Sequence, residues 1–106
     1  MKTKTASFIA AAALLGTVQL SLADDAAANW GKYCASCHAK DGSGKTMMGQ
    51  KSGVGDYTTA AAQSKFTDAE AIQAITAGKG KMKSFSDRLT PEEIKALVAY
   101  VRGLKK

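Results

Sequence analysis

The sequence predicts an all-α domain in which three to four helices and a glycine-rich loop surround a single bound group, and three observations point there. Two segments open with a Thr three residues ahead of a Glu, Thr67-Asp68-Ala69-Glu70 and Thr90-Pro91-Glu92-Glu93. In this pattern hydroxyl and carboxylate each satisfy a free amide at a helix start. Between Ala39 and Gly55 glycine recurs at Gly42, Gly44, Gly49 and Gly53, with Asp, Ser and Lys between. That leaves no amphipathic period and reads as loop. Just before the loop stands Cys34-Ala35-Ser36-Cys37-His38, and Cys-x-x-Cys-His is the attachment signature of a c-type haem.

The spacing has a chemical reason. Residues three apart share one face of a helical turn, so both sulfurs can form thioethers to the two vinyl groups along one haem edge while His38 ligates the iron. Other uses of Cys-x-x-Cys fit less well. A structural zinc normally takes four ligands, and the chain offers only Cys34, Cys37 and His38 of the Cys and His types. A thioredoxin-like disulfide would sit near a βαβ pattern, whereas helices and loop follow here. On these residues the sequence resembles the class I c-type cytochromes, small electron carriers with one haem between a proximal His and a distal Met. The resemblance implies a small cytochrome c fold and one haem c, joined covalently to Cys34 and Cys37 with His38 on the iron.

The chain of 106 residues allows one domain, and its N-terminus reads as a separate segment. Lys2 and Lys4 form a basic start, Phe8 to Leu20 is an apolar run, and Ser21-Leu22-Ala23 is a small-residue cleavage site. Residues 1–23 are therefore expected to be a secretory signal peptide and residues 24–106 the mature domain, placed in the periplasm or an equivalent lumen. The apolar run is too short for a spanning helix, which needs about 20 apolar residues, so no stable membrane insertion is expected after cleavage. Loss of Lys2 and Lys4 leaves thirteen of the fifteen basic groups against nine acidic ones, a net charge of +4. With those basic residues scattered, nucleic-acid binding is a poor reading. A domain this small usually needs a staple. Both cysteines are committed to the motif, so the haem is expected to serve, and the apoprotein should fold poorly.

Asp24 or Asp25 can cap a first helix, in which Ala26, Ala27 and Ala28 are strong helix formers and Trp30 and Tyr33 supply bulk before Cys34. The resemblance places a small residue near Ala27 and an aromatic one near Trp30, where first and last helices cross. The loop from Ala39 to Gly55, which holds Met47 and Met48, is expected to wrap the proximal side of the haem, since loops this long in compact domains are usually functional. A short helix around Ala60-Ala61-Ala62 is expected within Thr58–Lys65. A helix from Asp68 to Ala77 follows, with Ile72 and Ile75 on one face and Gly78 as its stop. In the last helix Pro91 sits at the first position, where its missing amide hydrogen costs nothing. Leu89 can staple to Ile94, and Ile94, Leu97, Val98 and Val101 form one apolar face that Gly103 ends. Tyr100 near its end adds to the resemblance.

Class I cytochromes carry the distal methionine between the last two helices, where this chain has Gly78-Lys79-Gly80-Lys81-Met82-Lys83-Ser84-Phe85. The resemblance therefore implies Met82 as the second iron ligand; Met47 and Met48 compete, although they follow His38 more closely than the family's spacing. A thioether favours reduced iron, so His/Met ligation suits an electron carrier and leaves little room for substrate. The family commonly has Pro after this Met, and Lys83 replaces it, removing a φ constraint. Lys79, Lys81 and Lys83 bracket the candidate ligand and are expected to face redox partner proteins. The leading expectation is a soluble one-electron carrier without enzyme activity. The alternatives are a small haem enzyme, or a gas- or peroxide-binding cytochrome with a displaceable Met, and a dedicated subunit of one redox complex. The chain has no His besides His38 to act as a distal acid or base.

Overall fold

In the computed structural model, which describes residues 25–106, the chain runs through five helical segments joined by tight loops. Residues 1–23 and the alternative cap Asp24 lie outside the described residues; Asp25 is already helical. The first segment, α1, spans residues 25–38 but is not the regular helix the sequence suggests. Its middle, Trp30–Cys34, is a π turn in which the Ala35 amide reaches back to the Trp30 carbonyl, and Ala35–His38 then returns to α geometry. Single π turns of this kind often sit at functional sites. The buried small residue of this helix is Ala26, four positions before Trp30 and hence on its face, whereas Ala27 is exposed. The expected crossing with the last helix is present, since the rings of Trp30 and Tyr100 lie 5.6 Å apart.

The segment read as loop from Ala39 to Gly55 contains a helix, α2, at Met47–Ser52. Thr46 caps it by accepting from the Gly49 amide, and Gly53 ends it in the left-handed conformation at φ 71°. With six residues and both methionines exposed, α2 has no apolar stripe that a periodicity could reveal. Its hold comes from its ends. The expected short helix is α3, Ala60–Gln63, capped by Thr59.

The two capping boxes form as expected. Thr67 and Glu70 open α4, Asp68–Ala77, and Thr90 and Glu93 open α5, Pro91–Arg102, with reciprocal bonds in each. The apolar face of α5 supplies Ile94, Leu97, Val98 and Val101 to a core completed by Trp30, Cys34, Ile75, Phe85 and Leu89. Leu97 is 1% exposed, and full burial of such a side chain contributes about 1.5–3 kcal/mol. Ile72 is half-buried against the same cluster. No β-strand occurs among the described residues; the one bridge joins Lys79 to Met82. Nor, among them, is any helix long and apolar enough to cross a membrane.

A polar knot ties the far end of α5 to the chain between α3 and α4. The buried Gln63 amide donates to the carbonyls of Tyr57 and Val101, each at 2.8 Å. Arg102 donates to the Gln63 carbonyl and Oε1, to the Phe66 carbonyl and to Asp68, and its guanidinium lies 4.3 Å from the Phe66 ring centroid. The Asp68 carboxylate is largely exposed, so the knot draws its strength from the half-buried carbonyl bonds more than from the ion pair.

Thr90→Ala removes the cap of the helix that supplies the largest share of the core, and should lower unfolding free energy by about 1 kcal/mol in denaturant titrations. Bonds from the Thr67 and Thr90 backbones hold the carboxyls of Glu70 and Glu93 below their ordinary 4.5. A carboxyl lowered in the folded state contributes stability that is complete above its ordinary value and is lost as pH falls through the folded one. Acid unfolding followed by circular dichroism should therefore steepen below about pH 4.5, and the Glu70→Gln, Glu93→Gln double variant should flatten that slope.

Candidate haem site

The final turn of α1 presents two free thiols and one imidazole. Cys34 ends the π turn and is buried; Cys37 and His38 are half-buried. Burial pushes the Cys34 thiol from its ordinary 9.0 up to about 11, so sulfur stays protonated at neutral pH. Burial also lowers His38 below its ordinary 6.5, which leaves a neutral imidazole with a lone pair to donate. The ring stands between two aromatic ones, Tyr57 stacked at 5.4 Å and Trp30 tilted at 5.7 Å between centroids. Its Nδ1 is buried with no hydrogen-bond partner in the protein. Two unpaired thiols beside a neutral imidazole whose polar capacity the protein leaves unused form a donor set that fits a c-type haem.

The carbonyls of Cys37 and His38 at the end of this turn find donors in the loop after it, and the loop is shaped by that need. The Thr46 hydroxyl donates to the Cys37 carbonyl at 2.8 Å and accepts from the Gly49 amide at 2.8 Å, so one side chain fastens α2 to the motif. Gly44 donates to the His38 carbonyl at 2.8 Å. The Trp30 indole N–H is shared between the carbonyls of Ala39 and Lys40, at 3.2 and 3.1 Å. Between these clamps Ala39 adopts φ 70° and ψ 158°, a region that disfavours any residue with a Cβ. Gly49 is needed for a different reason. A Cβ there would run into the Cys37 carbonyl and stand 2.5 Å from that of Gly44.

Met82 closes a two-residue turn. Lys79 and Met82 exchange both backbone bonds, each 2.9 Å, around Gly80 at φ 58°. The turn hangs from α4 by Gly78, whose φ of 85° and crowding by the Met82 carbonyl both exclude a side chain. Beyond it the Phe85 amide donates to the Ile75 carbonyl at 2.9 Å and the Ser84 hydroxyl to that of Thr76. The Met82 side chain packs, half-buried, on the cluster to which Cys34 belongs.

The structure thus brings Cys34, Cys37 and His38 onto one turn and packs Met82 on the core cluster that includes Cys34, while Met47 and Met48 are 76% and 53% exposed. Sequence reasoning passed over Thr46, the indole N–H of Trp30, and Tyr57. Thr46 carried one usable signal, a hydroxyl residue with glycine three positions on. The contacts of Trp30 and Tyr57 depend on tertiary packing and had none.

An all-α fold built around a Cys-x-x-Cys-His turn defines a small c-type cytochrome, a protein that binds haem c and transfers electrons. The family described as cytochrome c oxidase, cbb3-type, subunit III matches residues 21–101, and the chain belongs to it. Among solved structures it is similar to the KustC0563 c-type cytochrome, at 38% identity and a TM-score of 0.72, covering 77% of this chain and 99% of that one. A tyrosine-to-phenylalanine mutant of Kustc0563 is similar at 38% identity and a TM-score of 0.69, covering 76% of this chain and 99% of that one. No curated protein matches the chain.

Two substitutions test the clamps around the motif. Ala39→Gly relieves the strained backbone and should raise the denaturation midpoint of the haem-loaded protein by the equivalent of about 1 kcal/mol. Thr46→Val leaves a carbonyl and an amide without their partner and should cost about 1–3 kcal/mol, with Thr46→Ser recovering most of it.

Proposed function

We propose that this cytochrome is a one-electron carrier with a single covalent haem, bound through Cys34 and Cys37 and ligated by His38 and Met82. The observation that carries the reading is the turn that presents both thiols and the neutral imidazole together, in a chain whose family binds haem c. When bound, the haem supplies a one-electron iron(III)/iron(II) couple. Each thiol would add its sulfur to one carbon of a vinyl group and its proton to the other, so attachment would need no oxidant or reductant.

The residues around the motif hold the ligands still. Trp30 and Tyr57 fix the plane of His38, and the Thr46 and Gly44 bonds fix the backbone on which it rides. Met82 is favoured over Met47 and Met48 because it alone of the three packs on the hydrophobic cluster around Cys34. Lys83 removes the usual proline, but the paired bonds between Lys79 and Met82 restrain the same stretch of backbone. His38 and Met82 together would leave the iron no open position, and the chain has no second histidine, so a carrier is favoured over an enzyme or a gas sensor. Residues 1–23 read as a signal peptide, which would place the carrier in the periplasm or an equivalent lumen. Exposed Lys79, Lys81 and Lys83 bracket Met82 and would meet redox partners.

Membership of a family described as an oxidase subunit favours a second reading, in which the cytochrome serves one terminal oxidase complex as a fixed subunit. Co-purification distinguishes the two, since a mobile carrier should leave its partners on dilution.

Mass spectrometry of denatured protein from cells able to mature c-type cytochromes should show one haem still attached, and a bare polypeptide mass would refute the proposal. Met82→Ala should abolish the weak far-red charge-transfer band of the oxidised protein and lower its potential. If Met47→Ala or Met48→Ala does this and Met82→Ala does not, the ligand is misassigned.

A further inference from the structure

Among the described residues, Met47 and Met48 are the large hydrophobic side chains left exposed, at 76% and 53%. They are adjacent on α2, and Lys51 follows within one turn, on the side they share. The Lys51 carbonyl accepts from the Nζ of Lys81 at 3.3 Å, which joins α2 to the turn that carries Met82. Neither of the segments that meet here, residues 42–55 and 71–86, contains an Asp or Glu. The result is an apolar centre with a basic border and no carboxylate from either strip of chain.

We infer that Met47 and Met48, bordered by Lys51 and Lys81, are the centre of a docking surface for an acidic redox protein. The inference rests on the carrier reading and adds where a partner sits. Three physical points favour such a partner. The basic border complements an acidic surface, which would steer encounters at low ionic strength. Exposed methionines are flexible and polarizable, so they accommodate partners of differing shape. Two such side chains make a small apolar area, suited to a transient redox encounter that buries less than about 1,200 Å² and unsuited to an obligate interface. A lipid surface fits less well, because a six-residue helix cannot lay a long apolar stripe into a membrane interface.

The position also suits electron transfer. The Thr46 bond to the Cys37 carbonyl pins the start of α2 to the motif, and Met47 and Met48 come next in the chain. A partner seated on them would dock on the helix that Thr46 fastens to Cys37, one of the two residues through which the haem would be attached. Lys83 contributes less to this border, since its Nζ leans over the Phe85 ring at 6.0 Å.

The test uses the haem-loaded protein and photoreduced flavodoxin, an acidic donor whose hydroquinone is oxidised to the semiquinone as the iron goes from ferric to ferrous. Met47→Gln, Met48→Gln should slow this reaction roughly tenfold at fixed ionic strength while leaving its salt dependence intact, because no charge changes. Lys51→Glu, Lys81→Glu should remove most of the salt dependence, whereas Lys95→Glu, Lys105→Glu, an equal charge change on α5 and the chain after it, should have a smaller effect. A neutral small donor, lumiflavin semiquinone, should reduce all variants at the wild-type rate. If it fails to reduce the wild type in one reversible electron, the carrier reading fails; if only the flavodoxin results fail, the docking surface does. Binding is read separately with ¹³C-methyl methionine and oxidised flavodoxin, where the Met47 and Met48 methyl signals should shift. A methionine double variant within about twofold of wild type, or methyl shifts produced by phosphatidylglycerol vesicles and not by flavodoxin, overturns the proposal.

Discussion

The carbonyls at the end of α1 have to find donors, and much of the molecule is arranged to supply them. A helix that stops inside a protein leaves its last carbonyls unpaired, and here the helix must stop at His38 to present the ring. Thr46 answers Cys37, Gly44 answers His38, and the Trp30 indole answers Ala39 and Lys40. Gly44, Gly49 and the cap of α2 follow from these bonds, and they engage the buried Trp30. Even the strained Ala39 is explained, because donors on both sides hold it where an unconstrained alanine would not stay.

The same indole links the motif to the rest of the fold. Trp30 lies beside both His38 and Tyr100, so one side chain joins the imidazole of the motif to the helix that closes the chain. At the same end of α5, Gln63 bonds to Val101 and Arg102 and donates to the Tyr57 carbonyl. The two rings flanking His38 are thus each tied to α5, one by packing and the other by hydrogen bonds.

Legibility in the sequence followed the range of each interaction. The boxes of Thr67 and Thr90 were readable because both partners lie within three residues, and the motif because its residues are contiguous. Helix α2 was not, since it rests on Thr46 and Gly53 at its ends rather than on a periodic apolar face. The π turn left no mark either: shifting the face on which Cys34 lies matters only to the residues it packs against, and these come from α4, α5 and the loop between them. Ala26 was missed in favour of Ala27 because the phase of α1 is set by Trp30. The surroundings of His38 were hidden for the same reason, as Trp30 precedes it in the chain and Tyr57 lies far beyond it.

The turn that carries Met82 is closed entirely by main-chain bonds between Lys79 and Met82. The Lys81 side chain reaches out to the Lys51 carbonyl, but the turn itself needs only the absence of a side chain at Gly78 and Gly80. Mutation can therefore rewrite the charges at Lys79 and Lys81 while the methionine stays where it is. On the proposed reading, partner choice and iron chemistry would become separately heritable traits, and a lineage could change the protein it serves without first retuning its metal.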